Sequence, residues 1–215
     1  MTGAPRRQRV PLSRPADGDS PANLPGAITT PPRRCDGPAE RRALIDRAFE
    51  LGVPRTYGSS RHLRLQREPA QLVAIGADVH GRVQWLQPRA ARALARMRAT
   101  ATRQGVELQV VSAFRSIEYQ LGILERKLAR GLGIEEILRV SAAPGYSEHH
   151  AGRCLDFTTP GFAELEEGFE RSPAFAWLRR NAAGFGFTLS YPRGNRNGIA
   201  YEPWHWCWHS HTSSR

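Results

Sequence analysis

The sequence has almost no lysine, and it contains no long run of apolar residues. Lys127 is the single lysine, so arginine carries nearly all of the positive charge behind a net charge of +11. No stretch approaches the roughly 18 consecutive apolar residues that a membrane-spanning helix needs. Arg6 and Arg7 are not followed by the apolar core of a signal peptide. We expect no membrane span and a cytoplasmic location for the chain as it stands, or a periplasmic or cell-envelope location if the true start carries an export signal.

Cysteines and clustered basic residues are also scarce. The three cysteines, Cys35, Cys154 and Cys207, are too few for a disulfide scaffold and form no CxxC pair. The arginines are scattered, and they lack the dense runs or interleaved aromatics of a dedicated nucleic-acid binder. We therefore expect no nucleic-acid binding, although a basic surface favours anionic partners such as an acidic cell-wall polymer.

Composition divides the chain into a tail and one domain. Residues 1–38 are rich in proline, arginine, glycine and serine and show no apolar periodicity. Such a segment cannot bury enough apolar surface to offset the entropy lost on ordering, so we predict a mobile tail. The rest, residues 39–215, is long enough to bury one sizeable core. We expect this single domain to be monomeric.

Interleaved helical and strand patterns predict an α+β fold. Apolar residues at helical spacing predict helices over residues 38–51, 88–104, 117–130, 134–140, 162–169 and 173–183. Runs rich in β-branched and aromatic residues predict strands over residues 71–76, 82–86, 106–113, 153–158, 187–191 and 199–209. The short loops and the late strands indicate a small mixed or antiparallel sheet with flanking helices.

Two segments in the last third of the chain contain residues suited to a catalytic zinc ion. His149, Asp156 and His205 could supply three protein ligands and leave a fourth position for water. Seven extended residues would span roughly 23 Å, so the chain between His149 and Asp156 must fold back, and Gly152 permits that turn. His150 adjoins His149, and neighbours on an extended chain point opposite ways. We therefore expect only one of the two to face the metal.

Glu202 lies three residues before His205 and is the candidate general base. On a regular strand this spacing would put the two side chains on opposite faces. Proline is tolerated at the first residue of a strand rather than in its interior, so Pro203 indicates that Glu202 belongs to the preceding loop and leans over the metal. Trp204 and Trp206 should then face the core. Each residue alone also has a purely structural interpretation, and it is their combination that favours a zinc peptidase.

Three motifs resemble, in the same order, those of the zinc D-alanyl-D-alanine carboxypeptidases and dipeptidases, the VanY- and VanX-like peptidases. Their S-G-Y-R-S-x-x-x-Q segment is similar to Ser112-Ala113-Phe114-Arg115-Ser116 followed by Gln120. Their S-x-H-x-x-G-x-A-x-D pattern matches Ser147-x-His149-x-x-Gly152-x-Cys154-x-Asp156. Their E-x-W-H motif resembles Glu202-Pro203-Trp204-His205. The resemblance covers about residues 85–209, the expected catalytic core, and leaves residues 39–84 as a variable N-terminal part.

The resemblance implies a D-Ala-D-Ala peptidase/hedgehog-like fold with a zinc site on the sheet. His149, Asp156 and His205 would bind Zn²⁺. Glu202 would act as general base and then as general acid. Arg115 would polarise the scissile carbonyl and stabilise the oxyanion, a role suited to a fixed guanidinium.

The implied activity is that of a D,D-carboxypeptidase, which removes the terminal D-Ala from a peptidoglycan stem peptide or muropeptide. Ser147 would bind the terminal carboxylate of the substrate, and Gln120 is a further substrate-binding candidate. An L,D-carboxypeptidase, a dipeptidase and an endolysin-type endopeptidase remain open within the same chemistry. A module that binds muropeptide without cleaving it is a more distant alternative, which Glu202 and Arg115 disfavour because binding alone needs no general base.

Two departures from the family pattern are both to cysteine. Cys154 stands for alanine, and Cys207-Trp208 replaces the common Arg-Tyr pair. If Asp156 and His205 lie opposite each other on neighbouring antiparallel strands, a step of two residues along each strand brings Cys154 opposite Cys207. We predict that these two cysteines are in contact, reduced in a cytoplasm or bridged in an oxidising compartment. The alternative is two unrelated small buried residues.

Overall fold

A small antiparallel sheet carries most of the residues singled out above. The computed structural model of the protein describes residues 30–210. In chain order its strands are β1 (Val73–Ala77), β2 (Val83–Leu86), β3 (Gln109–Ser112), β4 (Cys154–Thr158), β5 (Phe187–Leu189) and β6 (His205–Trp208). Four of them form a sheet in the order β3-β4-β6-β5, while β1 and β2 pair as a separate hairpin. All of these pairs are antiparallel.

Within residues 30–210 six α-helices accompany the strands, which confirms the α+β fold class. They are α1 (Pro38–Glu50), α2 (Tyr57–Ser60), α3 (Pro88–Arg103), α4 (Ile117–Ala129), α5 (Ile134–Val140) and α6 (Pro173–Asn181). Within residues 30–210 no helix is long and apolar enough to cross a membrane.

Local chemistry sets where the helices begin. Three of them start with proline, whose fixed φ suits the first helical turn and whose missing N–H would have no partner there. Ser116 caps α4 by accepting a hydrogen bond from the backbone N–H of Tyr119 at 3.1 Å. Ser172 caps α6 in the same way, through the N–H of Phe175 at 3.0 Å. The start of α4 matters for the site because Arg115 immediately precedes its cap.

The main core lies between the four-stranded sheet and helices α3 and α6. Side chains alternate across a strand, and β4 uses this alternation. Leu155 and Phe157 are fully buried in the core, which directs Asp156 to the other face of the sheet. Trp204 and Trp206 also belong to this core, as expected from the sequence. The sheet therefore has one apolar face and one face that carries the polar site.

The end of the predicted tail is in contact with the domain. The Arg34 guanidinium donates hydrogen bonds to the backbone oxygens of Pro69 at 2.9 Å and Ala70 at 2.6 Å. The N–H of Cys35 donates to Glu68, whose other carboxylate oxygen accepts from the N–H of Ile117 at the start of α4. The rest of that segment, residues 1–29, lies outside the described residues.

One predicted helix is wrong, and several predicted strands are too long, the last one by the most. In place of a helix over residues 162–169 the chain has a 3₁₀-helix at Glu167–Arg171. Leu165 has a φ of 55°, a left-handed conformation that an α-helix cannot accommodate. The last strand begins at His205 rather than at residue 199, because Pro203 cannot donate to the ladder.

The register of β4 and β6 agrees with the prediction from strand parity. Asp156 lies opposite His205, and Cys154 lies opposite Cys207. The two cysteines are joined in a disulfide, with their Cα atoms 4.0 Å apart. Both are fully buried. The bridge therefore ties together the two strands that carry Asp156 and His205. It lies two residues along the ladder from that pair.

Removing this bridge should destabilise the fold. It links residues 53 positions apart, and disulfides typically contribute about 2–4 kcal/mol by constraining the unfolded chain. We expect Cys154→Ala/Cys207→Ala to lower the free energy of unfolding by about that amount, measured by urea titration with circular dichroism. Cys35→Ala, which leaves the bridge intact, is the control. A double variant as stable as the wild type, or a wild type whose stability a thiol reductant leaves unchanged, would contradict the prediction.

Candidate metal centre and active site

Three side chains predicted to bind metal converge on the polar face of the sheet. His149 Nε2 lies 3.2 Å from one Asp156 carboxylate oxygen, and His205 Nδ1 lies 3.0 Å from the other. The ligand atoms of all three residues lie within 4.8 Å of one another. All three side chains are buried. This geometry provides one carboxylate and two imidazoles, the donor types that zinc binds.

A tight turn at Gly152 brings His149 back to Asp156. His149 lies in a 3₁₀-helix, Glu148–Ala151, which ends at Gly152 with a φ of 60°. A Cβ atom there would also lie 3.0 Å from Pro69 and 3.2 Å from Leu72. Glycine is thus required both by the backbone conformation and by the space. The turn leads directly into β4, where Asp156 pairs with His205 at the start of β6.

His149 presents an unpaired nitrogen to the site. Its Nδ1 donates to the backbone oxygen of Ala113 at 2.5 Å, which leaves the Nε2 lone pair directed away from that bond. Burial, together with the positive charge of Arg115, lowers the pKa of His149 to about 4, so the ring is neutral. Among the described residues Nε2 has no hydrogen-bond partner. A buried, neutral nitrogen without a donor, facing a carboxylate, fits a metal ligand.

His205 is held between two carboxylates. Its Nδ1 faces Asp156, and its Nε2 lies 3.1 Å from Glu148. Burial alone would lower the pKa of His205, but hydrogen bonds to Asp156 and Glu148 raise it to about 10. Burial would raise the pKa of Asp156, yet the two histidines that face it, His149 and His205, hold it well below its usual value. Without a metal the ring therefore carries a proton on Nδ1, which a divalent cation would replace.

The second histidine of the pair has a structural role. His150 Nδ1 donates to the backbone oxygen of Arg115 at 2.6 Å, and its Nε2 accepts from the N–H of Gly145 at 3.2 Å. Both ring nitrogens are thus used, and burial lowers the pKa of His150 to about 3. The structure places His149 with the metal-ligating group and His150 outside it. His150 instead fixes the backbone that carries Arg115.

A pocket above the three ligands is lined by further predicted site residues, namely Arg115, Ser147 and Glu202. The Arg115 guanidinium comes within 4.0 Å of Asp156, and its side chain is about a quarter exposed. Glu202 Oε2 lies 3.9 Å from His205 Nδ1. The backbone of Glu202 is held by Tyr191 on one side and His205 on the other. Glu202 therefore approaches the ligand set from the loop before β6.

Gln120 is placed behind the pocket rather than in its lining. The side chain is buried, and its amide nitrogen donates to Ser141 Oγ and to the backbone oxygen of Ala142, each at 2.9 Å. Ser141 and Ala142 do line the pocket. The structure thus connects Gln120 to the pocket through the loop that it supports.

Two residues beside His205 were not found from the sequence. Glu148 contacts the outer edge of the His205 ring. Although burial opposes it, the hydrogen bond from His205 lowers the pKa of Glu148 to about 2. Tyr191 stacks on the same ring, with centroids 4.9 Å apart and planes 29° from parallel. The available signal for Glu148 was its position between Ser147 and His149, whereas Tyr191 had none.

A second group of possible ligands shares His205 with the first. It comprises Glu148, Cys154, His205 and Cys207. Thiolates, not disulfide sulfurs, bind metal, and these two cysteines are bridged. While the bridge is intact, the set of His149, Asp156 and His205 is the only complete candidate metal site among the described residues.

Comparison with known proteins shows similarity to the family whose motifs the sequence resembles. The VanY D-alanyl-D-alanine carboxypeptidase family model matches residues 83–211. The putative carboxypeptidase YodJ of Bacillus subtilis (strain 168) is 35% identical over 126 residues, which are 56% of this chain and 45% of YodJ. The chain thus spans less than half the length of that relative.

Two solved structures show the same fold. The LdcB LD-carboxypeptidase has a TM-score of 0.60 and 32% identity, covering 66% of this chain and 69% of that one. A variant of the vancomycin-resistance D,D-pentapeptidase VanY from the VanB-type cassette, in complex with Zn(II), has a TM-score of 0.50 and 26% identity, covering 69% and 87%. Since the family model matches more than half of the chain, including all three motifs, this protein belongs to the VanY family of D-alanyl-D-alanine carboxypeptidases.

Proposed function

We propose that this protein is a zinc-dependent D,D-carboxypeptidase that removes the terminal D-Ala from peptidoglycan stem peptides. The observation that carries the proposal is one pocket in which the ligand set of His149, Asp156 and His205 adjoins Glu202 and Arg115. A carboxylate beside a three-ligand site is what metal-assisted hydrolysis requires. Membership of the VanY family supports the substrate class, and the Zn(II) complex of the VanY relative supports the metal.

The three ligands would hold zinc, which when bound supplies a Lewis acid and lowers the pKa of water toward ~7. Glu202 takes the proton of the attacking water and then delivers it to the leaving amine. Its carboxylate is positioned for both transfers because it lies 3.9 Å from His205 Nδ1, on the pocket side of the ring.

Arg115 and Ser147 would act on the substrate itself. The guanidinium donates to the scissile carbonyl oxygen and stabilises the negative charge that develops there. His150 and His149 both hydrogen-bond the backbone of Arg115, so the donor is preorganised relative to the ligands. Ser147 lines the same pocket and would bind the terminal carboxylate, with Gln120 acting indirectly by supporting Ser141 and Ala142.

An L,D-carboxypeptidase is the second candidate, because the LdcB LD-carboxypeptidase has a TM-score of 0.60 and 32% identity to this chain. The two activities use the same hydrolytic groups and differ in the stereochemistry of the residue before the scissile bond. The assay that separates them offers zinc-loaded protein a stem pentapeptide ending in D-Ala-D-Ala and a tetrapeptide ending in an L-centre followed by D-Ala. We expect mass spectrometry to show loss of one alanine from the pentapeptide only. Cleavage of the tetrapeptide alone would transfer the assignment to the L,D class.

His205→Ala should abolish stoichiometric zinc binding. It removes one of three ligands and leaves Asp156 without its partner across the strand pair. We expect one zinc per wild-type chain by atomic absorption after dialysis, and much less than one in the variant. His80→Ala changes a histidine on the hairpin turn and should keep full metal content. Full occupancy in His205→Ala would rule out this ligand set.

Glu202→Gln should lower turnover while leaving zinc content intact. A general base typically contributes about 10²–10⁴-fold, and the amide keeps the shape of the side chain without its proton affinity. Turnover of the cleaved peptide and metal content should be measured on the same preparation, with the exposed Glu136→Gln as the matched control. Wild-type turnover would remove Glu202 from the mechanism.

In the same assay, Arg115→Ala should reduce turnover by roughly 10²–10³-fold, as for a lost oxyanion donor.

A further inference from the structure

Glu148 contacts His205 on the edge of the ring opposite the metal-ligating group. Its Oε2 lies 3.1 Å from His205 Nε2, while Nδ1 of the same ring faces Asp156 at 3.0 Å. The carboxylate is largely buried, with one fifth of its side chain exposed. Glu148 is therefore placed to act on His205 without being a ligand of the metal that Nδ1 faces.

The two ligand histidines present opposite nitrogens to the site. His149 gives its Nδ1 proton to Ala113 and leaves Nε2 to the ligand group. His205 faces that group with Nδ1, so in the neutral ring its proton must be on Nε2. The position of the proton on such a ring is set by the acceptor available to its other nitrogen. For His205 that acceptor is Glu148.

Two other neighbours, Tyr191 and Cys207, whose Sγ lies 3.5 Å from His205 Nε2, do not replace Glu148 as the acceptor. Cys207 Sγ lies 3.1 Å from the same carboxylate oxygen, but it is bridged to Cys154 and has no proton to donate. Tyr191 stacks on the face of the His205 ring and so restricts its plane without competing for either nitrogen. The ring is thus packed against the rings of Tyr191 and His149 and has a carboxylate at each of its two nitrogens.

We infer that Glu148 is a positioning residue, which accepts the Nε2 proton of His205 and so holds the imidazole in the tautomer whose Nδ1 lone pair faces the zinc site. The inference rests on the zinc site of the proposed function. It predicts that Glu148 acts on metal affinity, since partners of this kind typically change affinity or activity by 10–100-fold.

The test is zinc affinity, measured by competition with a chromogenic chelator on full-length protein. We expect Glu148→Ala to weaken zinc binding by about 10–100-fold. Glu148→Gln keeps an oxygen acceptor and should remain closer to the wild type than Glu148→Ala. Glu136→Gln removes an exposed carboxylate and should leave the affinity unchanged. Circular dichroism and the thermal midpoint of each metal-free variant identify any that do not fold.

A second measurement detects the proton itself. In zinc-loaded wild-type protein, ¹⁵N-correlated NMR should show the His205 proton on Nε2 and protected from solvent, with that protection lost in Glu148→Ala. A proton on Nδ1 in the wild type would overturn the inference even if Glu148→Ala does not fold. Zinc affinity of folded Glu148→Ala within about twofold of the wild type would also overturn it. A wild type that binds no zinc would refute the metal site as well, whereas failure confined to the Glu148 variants leaves the proposed function intact.

Discussion

The antiparallel pairing of β4 with β6 is the contact through which the site is assembled. It places Asp156 opposite His205, so two of the three candidate ligands come from directly facing positions on neighbouring strands. On the other side of β4, Asp156 pairs with Ser112 at the end of β3, three residues before Arg115. A shift of one residue in the β4–β6 register would turn the polar residues toward the apolar core. Leu155 and Phe157 oppose such a shift because both are fully buried on the core face.

Charge balance in the pocket favours a divalent cation. The carboxylates of Glu148, Asp156 and Glu202 all lie near the His205 ring, and taking a carboxylate out of water costs several kcal/mol. Arg115 offsets one of the three charges. The hydrogen bonds to Asp156 and Glu148 raise the pKa of His205 to about 10, and the proton that the ring therefore keeps offsets a second. A divalent ion in place of that proton would bring one more positive charge to these carboxylates, which gives the metal an electrostatic advantage over the proton in this pocket.

The sequence allowed prediction of whatever depends on local chemistry or on strand parity. Apolar residues at helical spacing placed α1, α3, α4 and α6 to within a few residues. The two-residue period of a strand was sufficient to pair Cys154 with Cys207. A helix was predicted over residues 162–169 because the apolar residues there have helical spacing. The prediction is wrong because Leu165 adopts a left-handed backbone conformation. Nothing in the residue types of that segment indicates such a conformation.

Contacts between segments that are far apart in the sequence could not be predicted, for a different reason. The prediction for His149 and His150 assumed an extended chain, whereas the chain at this point is a 3₁₀-helix, and Glu148 was not predicted at all. In a 3₁₀-helix, with about three residues per turn, consecutive residues point roughly 120° apart. His149, His150 and Glu148 therefore face three different partners, namely the ligand group, the backbone at Arg115 and the ring of His205. One short turn thus supplies a candidate ligand and a contact that fixes the backbone of the candidate oxyanion donor. The same turn places a carboxylate beside the candidate ligand on β6.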